Sequence, residues 1–404
     1  MALKKVLHII SENYPFGKGE QFFDAEVKVL ATHFDEIILF PLSKKGEQRN
    51  LPKNVSVNTV LVTASRESGR KKVWSQLPII FKILAIELRR SNKKVFILKK
   101  MRRWISMIIR SSQLATDFYN EIDLSHENYF YSFWMNDGAL SLAILKAKGQ
   151  INRFFFRVNG YDIFNERNEG SYLPFRYFNY QQARQVFVLS QEALNYLKAL
   201  NCYPEKLMLN HYGIFKNRTN PLNENLPVRI VSCANVIPLK RIDKIIDALS
   251  LLSEFNIQWT HFGDGFLMDE ISEKASKLPA NIQVDLRGNV FHEEIIDTYE
   301  NESVNVFLHT SETEGLGMAI IEAQSFGIPA VVVGVGGVLD IVTEKTGAVL
   351  EPVAEGAEIA KAIQEVLSSE KNSNSYRDKI QASCYEKFQA ERNYRNLYAK
   401  MVNE

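Results

Sequence analysis

Along the first half of the chain, short β-branched and aromatic runs alternate with stretches whose apolar positions recur every three or four residues. The runs 5–10, 36–42, 55–62, 129–133, 154–158 and 186–189 read as strands, and 137–148 and 191–200 read as helices. A polar, proline-containing stretch, 216–227, interrupts the pattern and reads as a linker. The alternation then restarts, with strands at 229–233, 258–262, 282–286, 304–309, 330–335 and 348–350, and helices opening at Arg241, Leu267 and Glu293. The last stretch, 374–402, is helical throughout by the same criterion. Strands alternating with helices predict parallel sheets covered on both faces. Two such series predict two Rossmann-like α/β domains, 1–217 and 218–380, with a C-terminal helix within 381–404 returning to the first. A cleft is expected between the halves, at the carboxyl ends of the strands, where parallel sheets bind ligands.

Composition adds little to this picture: 404 residues, 46% hydrophobic and 24% charged, are those of a globular chain too long for one core. The apolar segment Val6–Ile10 is short, and Ser11-Glu12-Asn13 follows it without a small-residue cleavage site. A buried first strand is therefore expected rather than a secretory signal. No run approaches the roughly 18 apolar residues of a membrane span. The three cysteines, Cys202, Cys233 and Cys384, lack metal-binding or redox spacing and fit inert thiols in a reducing cytoplasm.

Charge changes the picture more. The net charge of +2 conceals a segment, 66–110, with fourteen Lys/Arg against Glu67 and Glu87, a local balance of +12. Two helices are expected there, separated around Ser91-Asn92. One stripe holds Leu77, Phe81, Leu84 and Leu88, and the other Ile97, Met101, Trp104, Ile105 and Ile108. Flanked by Arg70, Lys71, Lys72, Arg89, Arg90 and Lys93, these stripes read as a docking surface for an anionic membrane, which makes the protein peripheral on the inner face. The competing reading packs the stripes on the sheet and leaves the charges solvated. Nucleic acid is not expected, because few stacking aromatics beyond Trp74, Phe96 and Trp104 interleave with the charges.

The candidate chemistry lies in the segment 310–329. A strand enters a polar loop, and Glu314-Gly315-Leu316-Gly317 opens a helix that carries Glu322. Glycines at a helix start let backbone N–H groups approach an anion, and carboxylates on either side can reach hydroxyls of the same ligand. Amides for phosphate and carboxylates for hydroxyls suit a sugar nucleotide. An acidic loop before a helix is also an ordinary capping arrangement.

Glu314-Gly-Leu-Gly with Glu322 eight residues on, followed by Gly327-Ile-Pro and Val335-Gly-Gly, resembles the retaining, GT-B-fold glycosyltransferases of family 4 (group 1), of the bacterial surface-polysaccharide type. Pro238-Leu-Lys240, Gly263-Asp-Gly265, Arg287-Gly-Asn-Val290 and Tyr212-Gly-Ile214 follow the family's order, as do Arg157-Val-Asn-Gly-Tyr-Asp-Ile-Phe164, Leu173-Pro-Phe-Arg176 and Val188-Leu-Ser190. Only about 66–125 falls outside the resemblance.

The resemblance implies a GT-B fold and transfer of a hexose or hexosaminyl unit from a nucleotide diphosphate sugar, most often a UDP-sugar, to a glycan or lipid-linked glycan acceptor. It implies roles for Lys240, Glu314, Asn159 and Asp162 in catalysis. Glu322 would hold the ribose, and Gly315, Leu316 and Gly317 the sugar and its phosphate. Asn235, Arg241, Gly263, Gly288, Val290, Gly17 and Gly19 complete the donor contacts. No metal and no cofactor are expected, since Lys240 and a helix start can stabilise a departing diphosphate and there is no Asp-x-Asp triplet. His211, His261, His292 and His309 lie near strand ends without ligand spacing, which suggests packing or surface roles.

Two positions depart from the family. The Arg five residues before Lys240 is Asn235, with Arg241 a possible substitute, and the histidine of the "His-Gly-x-Asp" strand end is Asn159. These departures also admit a catalytically impaired sugar-nucleotide-binding partner subunit. A sugar-nucleotide epimerase shares the two-domain architecture but not the segment from Glu314 to Glu322.

Overall fold

The computed structural model describes residues 3–64, 73–90, 94–223 and 225–403. The chain forms two compact units, Met1–His211 with Glu391–Glu404, and Tyr212–Ala390. The first holds seven strands: β1 (Lys5–Ser11), β2 (Glu36–Pro41), β3 (Val55–Val57), β4 (Glu127–Ser132), β5 (Phe155–Val158), β6 (Gln185–Val188) and β7 (Leu207–Leu209). The second holds β8 (Val228–Cys233), β9 (Ile257–Phe262), β10 (Ile282–Gly288), β11 (Val306–His309), β12 (Ala330–Val333) and β13 (Gly347–Leu350).

Both sheets are parallel, ordered β3-β2-β1-β4-β5-β6-β7 and β10-β9-β8-β11-β12-β13. Each order reverses beside its own first strand, between β1 and β4 and between β8 and β11. That reversal leaves a crevice at the carboxyl ends of the strands. Helices cover both faces, which is why β5, β11 and β12 are buried at every position; β12 is wholly apolar, whereas β5 carries Arg157 and β11 ends in His309. The helix Ile242–Leu249 shows the matching pattern: Ile242, Ile245, Ile246 and Leu249 are all buried. Each such side chain contributes about 1.5–3 kcal/mol by leaving water.

Several expectations change. The strand expected over 55–62 stops at Val57, because Asn58 Oδ1 accepts from the Val60 N–H (3.0 Å) and the chain turns into the helix Val60–Ala64. The polar stretch 216–227 is not a free linker. Asn220 is 2% exposed, and its Nδ2 donates to the Tyr299 and Glu302 carbonyls, while Asn217 Nδ2 donates to Ser325 Oγ. The asparagines hydrogen-bond protein groups in place of water, so a polar segment packs as part of the second unit.

The final helical stretch breaks at the extended residue Gln389 into Asn374–Phe388 and Ala390–Asn403. The first of these helices buries Ile380, Cys384 and Phe388 in the second unit, so the boundary expected at 380 falls at 390. From Glu391 onward the chain belongs to the first unit, where Tyr398 stacks on His33 with centroids 4.7 Å apart. Asn393 accepts from Asn210 Nδ2, and Asn210 in turn holds the fully buried Arg157, whose Nη2 is 2.9 Å from Glu26 Oε2.

The basic segment forms the helices Val73–Arg90 and Lys94–Asn120. Leu84, Trp104 and Ile108 of the expected stripes are buried in the first unit's core, so these residues are not available to a lipid surface. Leu77, Leu88, Met101 and Ile105 are half-buried, and Phe81 is 68% exposed. The first unit's core supplies an apolar surface to the same stripe that a membrane would, and burial there needs no second molecule. Arg70, Lys71, Lys72, Lys93 and the break at Ser91-Asn92 lie outside the described residues, as do the side chains of Trp74 and Ile97. Among the described residues no helix is long and apolar enough to cross a membrane.

Candidate functional site

The second unit's site is built where its strand order reverses. The loop after β8 runs through Asn235 to a 3-10 turn, Pro238–Lys240, and the loop after β11 runs from Thr310 to Gly317. Backbone and side chain bind the loops together. Thr310 Oγ1 donates to the carbonyls of Lys240 (2.9 Å) and Arg241 (3.0 Å), and Glu312 N–H donates to Leu239 O (2.9 Å). A third loop closes on them after β12. Gly336 has φ +57, and a Cβ there would stand 1.8 Å from Glu314 O, so no larger residue allows this approach.

These loops bring Lys240 and Glu314 into contact, Nζ to Oε2 at 2.6 Å. His309, 5% exposed at the end of β11, places Nε2 3.2 Å from the same oxygen, and the Gly315 N–H donates to Glu314 Oε1 (3.1 Å). Burial alone would raise the Glu314 carboxyl. The His309 hydrogen bond and the Lys240 charge outweigh burial and hold it well below the usual carboxylate range. Gly317, with φ +102, precedes the helix Met318–Ser325, which carries Glu322. Glu322 Oε1 lies 2.9 Å from His292 Nε2, at the start of the helix His292–Asn301. The site thus presents a cation, two carboxylates and the amides of a helix start.

His292 and His309 contact the two carboxylates, which sequence reasoning did not anticipate. The available signal was their position just past β10 and at the end of β11. His261 does pack: Ser232 Oγ is 2.8 Å from its Nδ1, and burial lowers its pKa to about 4. Among the described residues no cluster of three or more His, Cys, Asp or Glu side chains could hold a metal ion.

The other donor-site candidates divide. Asn235 is exposed on its loop, and Gly288 and Val290 lie at the carboxyl end of β10. The Gly263 N–H donates to Gly288 O (2.8 Å), joining the loops that follow β9 and β10. Arg241 engages a different loop from Lys240. Its guanidinium donates to the carbonyls of Pro352 (3.2 Å) and Ala354 (2.9 Å) and to Glu355, so it fastens the loop after β13.

In the first unit, Asn159 and Asp162 form a capping box around the helix Gly160–Ile163. Asp162 Oδ2 accepts from the Met135 (3.2 Å) and Asn159 (3.3 Å) N–H groups, and burial pushes its pKa up to about 6. Asn159 Nδ2 donates to Phe133 O (3.1 Å). This is a strand-end turn whose polar groups satisfy one another. Gly17, with φ +66, packs against Lys45 O, where a Cβ would come within 2.6 Å, and its N–H donates to Glu47 O. Gly19 is exposed, and the adjacent Glu20 carboxylate takes the N–H groups of Glu12, Asn13 and Tyr14 and the Trp134 indole. The amides at this loop are thus occupied by a side chain of the chain itself.

Residues 215–383 match the family described as glycosyl transferases group 1. Sulfoquinovosyl transferase SQD2 of Arabidopsis thaliana is 31% identical over 117 residues, which are 28% of this chain and 21% of that protein. Solved structures match end to end at lower identity. The lipopolysaccharide outer core galactosyltransferase WaaB is 15% identical with TM-score 0.67, covering 99% of both chains. Anabaena Alr3699/HepE in complex with UDP and glucose is 16% identical with TM-score 0.67, covering 99% of this chain and 100% of that one. S. aureus TarM is 12% identical with TM-score 0.70, covering 100% and 99%. These likenesses give the fold: the chain has the GT-B fold.

Proposed function

We propose that the protein is a retaining glycosyltransferase that transfers a hexose or hexosaminyl unit from a nucleotide diphosphate sugar to a glycan acceptor. The observation that carries this reading is the Lys240–Glu314 pair at the strand-order reversal, beside the amides that open the Met318–Ser325 helix. Departure of a diphosphate from an oxocarbenium-like sugar builds negative charge, which a cation and a helix start stabilise. Lys240 would move from Glu314 to the diphosphate, Glu314 would contact the transferred sugar, and Glu322 would bridge the ribose hydroxyls. The leaving phosphate can accept the acceptor's proton on the same face, so the reaction needs no separate base.

The group 1 match over 215–383 and the complex of HepE with UDP and glucose support a UDP-sugar donor. WaaB, a lipopolysaccharide core galactosyltransferase by name, supports a surface-glycan acceptor, which we take to be lipid-linked. An acceptor of that kind places the protein on the inner face of the membrane, held electrostatically by exposed residues such as Lys82, Arg89 and Arg102. No metal or cofactor takes part in the proposed reaction.

Incubation with labelled UDP-, GDP- and ADP-sugars tests the reading. Free nucleotide with released or transferred sugar of retained configuration, insensitive to EDTA, is the expected result. The absence of turnover with every donor overturns it. Nucleotide binding without turnover would instead identify an impaired partner subunit, a reading that Asn235 and the outward-fastened Arg241 favour. Interconversion of two free nucleotide sugars would mean an epimerase. Sedimentation with anionic vesicles, reversed by salt, tests the membrane assignment.

A further inference from the structure

The first unit contains a cavity of about 570 Å³ whose described lining residues all belong to that unit, and none of these takes part in the donor chemistry above. It sits at that unit's own strand-order reversal. Glu12 directly follows β1, and Met135, Asn136 and Asp137 follow β4. The opposite wall comes from the helix Lys94–Asn120, within the segment where the sequence carries none of the family's motifs. The volume falls in the ~300–1,000 Å³ range of small-molecule sites.

The lining has two chemical characters. Aromatic rings form one part: Trp104 and Tyr172 stack with centroids 5.4 Å apart, and Phe96 and Phe175 each meet Trp104 at 6.1 Å. Ion pairs and an amide–carboxylate pair form the other. Lys100 and Arg103 share Glu169, Arg110 Nη2 lies 2.5 Å from Asp137 Oδ2, and Asn136 Nδ2 donates to Glu12 Oε2 (2.8 Å). Among the described residues that line the cavity, three cations face three carboxylates, so their charges balance.

An incoming phosphate or carboxylate would have to displace Glu169 or Asp137 and leave that carboxylate without its partner. A polyol has no such conflict, because its hydroxyls can accept from the cations and donate to the carboxylates of pairs that stay intact. Asn179 points the same way. It lines the cavity at 2% exposure, and its Oδ1 has no hydrogen-bond partner among the described residues. A buried acceptor calls for a donor, which a sugar hydroxyl brings.

We propose that this cavity binds an uncharged sugar residue and selects against its phosphorylated or uronic-acid counterpart. Calling that sugar part of the glycan acceptor rests on the glycosyltransferase reading, whereas the preference for a neutral polyol does not. Glu169 sets the preference by neutralising Lys100 and Arg103.

The test is saturation-transfer NMR on the full chain without any nucleotide sugar. The probes are neutral methyl glycosides and disaccharides, each beside its uronic-acid and 6-phosphate counterpart. At least one neutral member should bind about tenfold more tightly than its charged counterparts, the scale of one differential polar contact. In Glu169→Gln that ratio should shrink by roughly threefold or more, the scale of one partly exposed charge interaction, with thermal unfolding confirming a folded variant. The proposal falls if charged members bind as well as neutral ones, if nothing in the panel binds, or if Glu169→Gln leaves the ratio unchanged. Donor hydrolysis, measured separately on the wild type, keeps the two readings apart. Hydrolysis without glycoside binding removes this inference alone, and glycoside binding without hydrolysis removes the transferase reading alone.

Discussion

Lys240 Nζ lies 2.6 Å from Glu314 Oε2, so the cation assigned to a departing diphosphate is held by the carboxylate assigned to the sugar. One contact couples the two roles, because donor binding must divide the pair. Charge on the diphosphate grows toward the transition state, so Lys240→Ala should lower kcat by roughly 10²–10³ and change KM much less. Steady-state kinetics with the accepted donor checks this, and a normal kcat with only a raised KM contradicts the assignment.

Glu322 presents its carboxylate toward His292 from a half-buried helix position. Charge-assisted hydrogen bonds to the ribose are worth about 1.5–3 kcal/mol. Glu322→Ala should therefore weaken nucleotide binding roughly ten- to hundredfold by calorimetry. His292→Ala should weaken it less, since it would remove only a group that orients Glu322. Unchanged affinity in folded Glu322→Ala takes this residue out of the site.

Arg241 donates to Pro352 O, Ala354 O and Glu355. Arg241→Met leaves two carbonyls and a carboxylate without these donors and should destabilise the protein by about 1–3 kcal/mol in chemical denaturation. Nucleotide affinity should not change. A tenfold loss of affinity at unchanged stability would mean that Arg241 leaves the loop after β13 to meet the donor.

Burial pushes the Glu87 carboxyl up to about 7, although Tyr172 and the Phe178 N–H donate to it. The folded state then holds a proton that the unfolded chain releases near pH 4.5. The stability that comes from this proton is complete below that value and is lost as pH rises through about 7. Glu87→Gln should remove this pH dependence, on the order of 3 kcal/mol, and flatten the fall of the thermal midpoint between about pH 4.5 and 7. Equal slopes for both proteins would show that Glu87 ionises normally.

The sequence by itself determined what depends on neighbours along the chain. Period-two and period-3.6 patterns identified the buried strands and amphipathic helices, and their alternation implied two parallel sheets. The Glu314–Glu322 segment announced a loop entering a helix at a strand end. Local pattern failed where a side chain replaced an expected backbone or solvent partner, as Asn58 did in ending β3 and Asn220 in fastening the supposed linker.

Only the tertiary structure decided which groups meet. Arg241 follows Lys240 in sequence, yet the two side chains diverge to Glu355 and Glu314. His309 and Lys240 share one carboxylate oxygen because β8 and β11 are adjacent in the sheet. The stripe on the two basic helices could serve a membrane or a core, and the first unit's core took Leu84, Trp104 and Ile108. Periodicity records which face of an element is apolar. What that face or a loop carboxylate touches is fixed by elements distant in sequence, and these come together only when the sheets close.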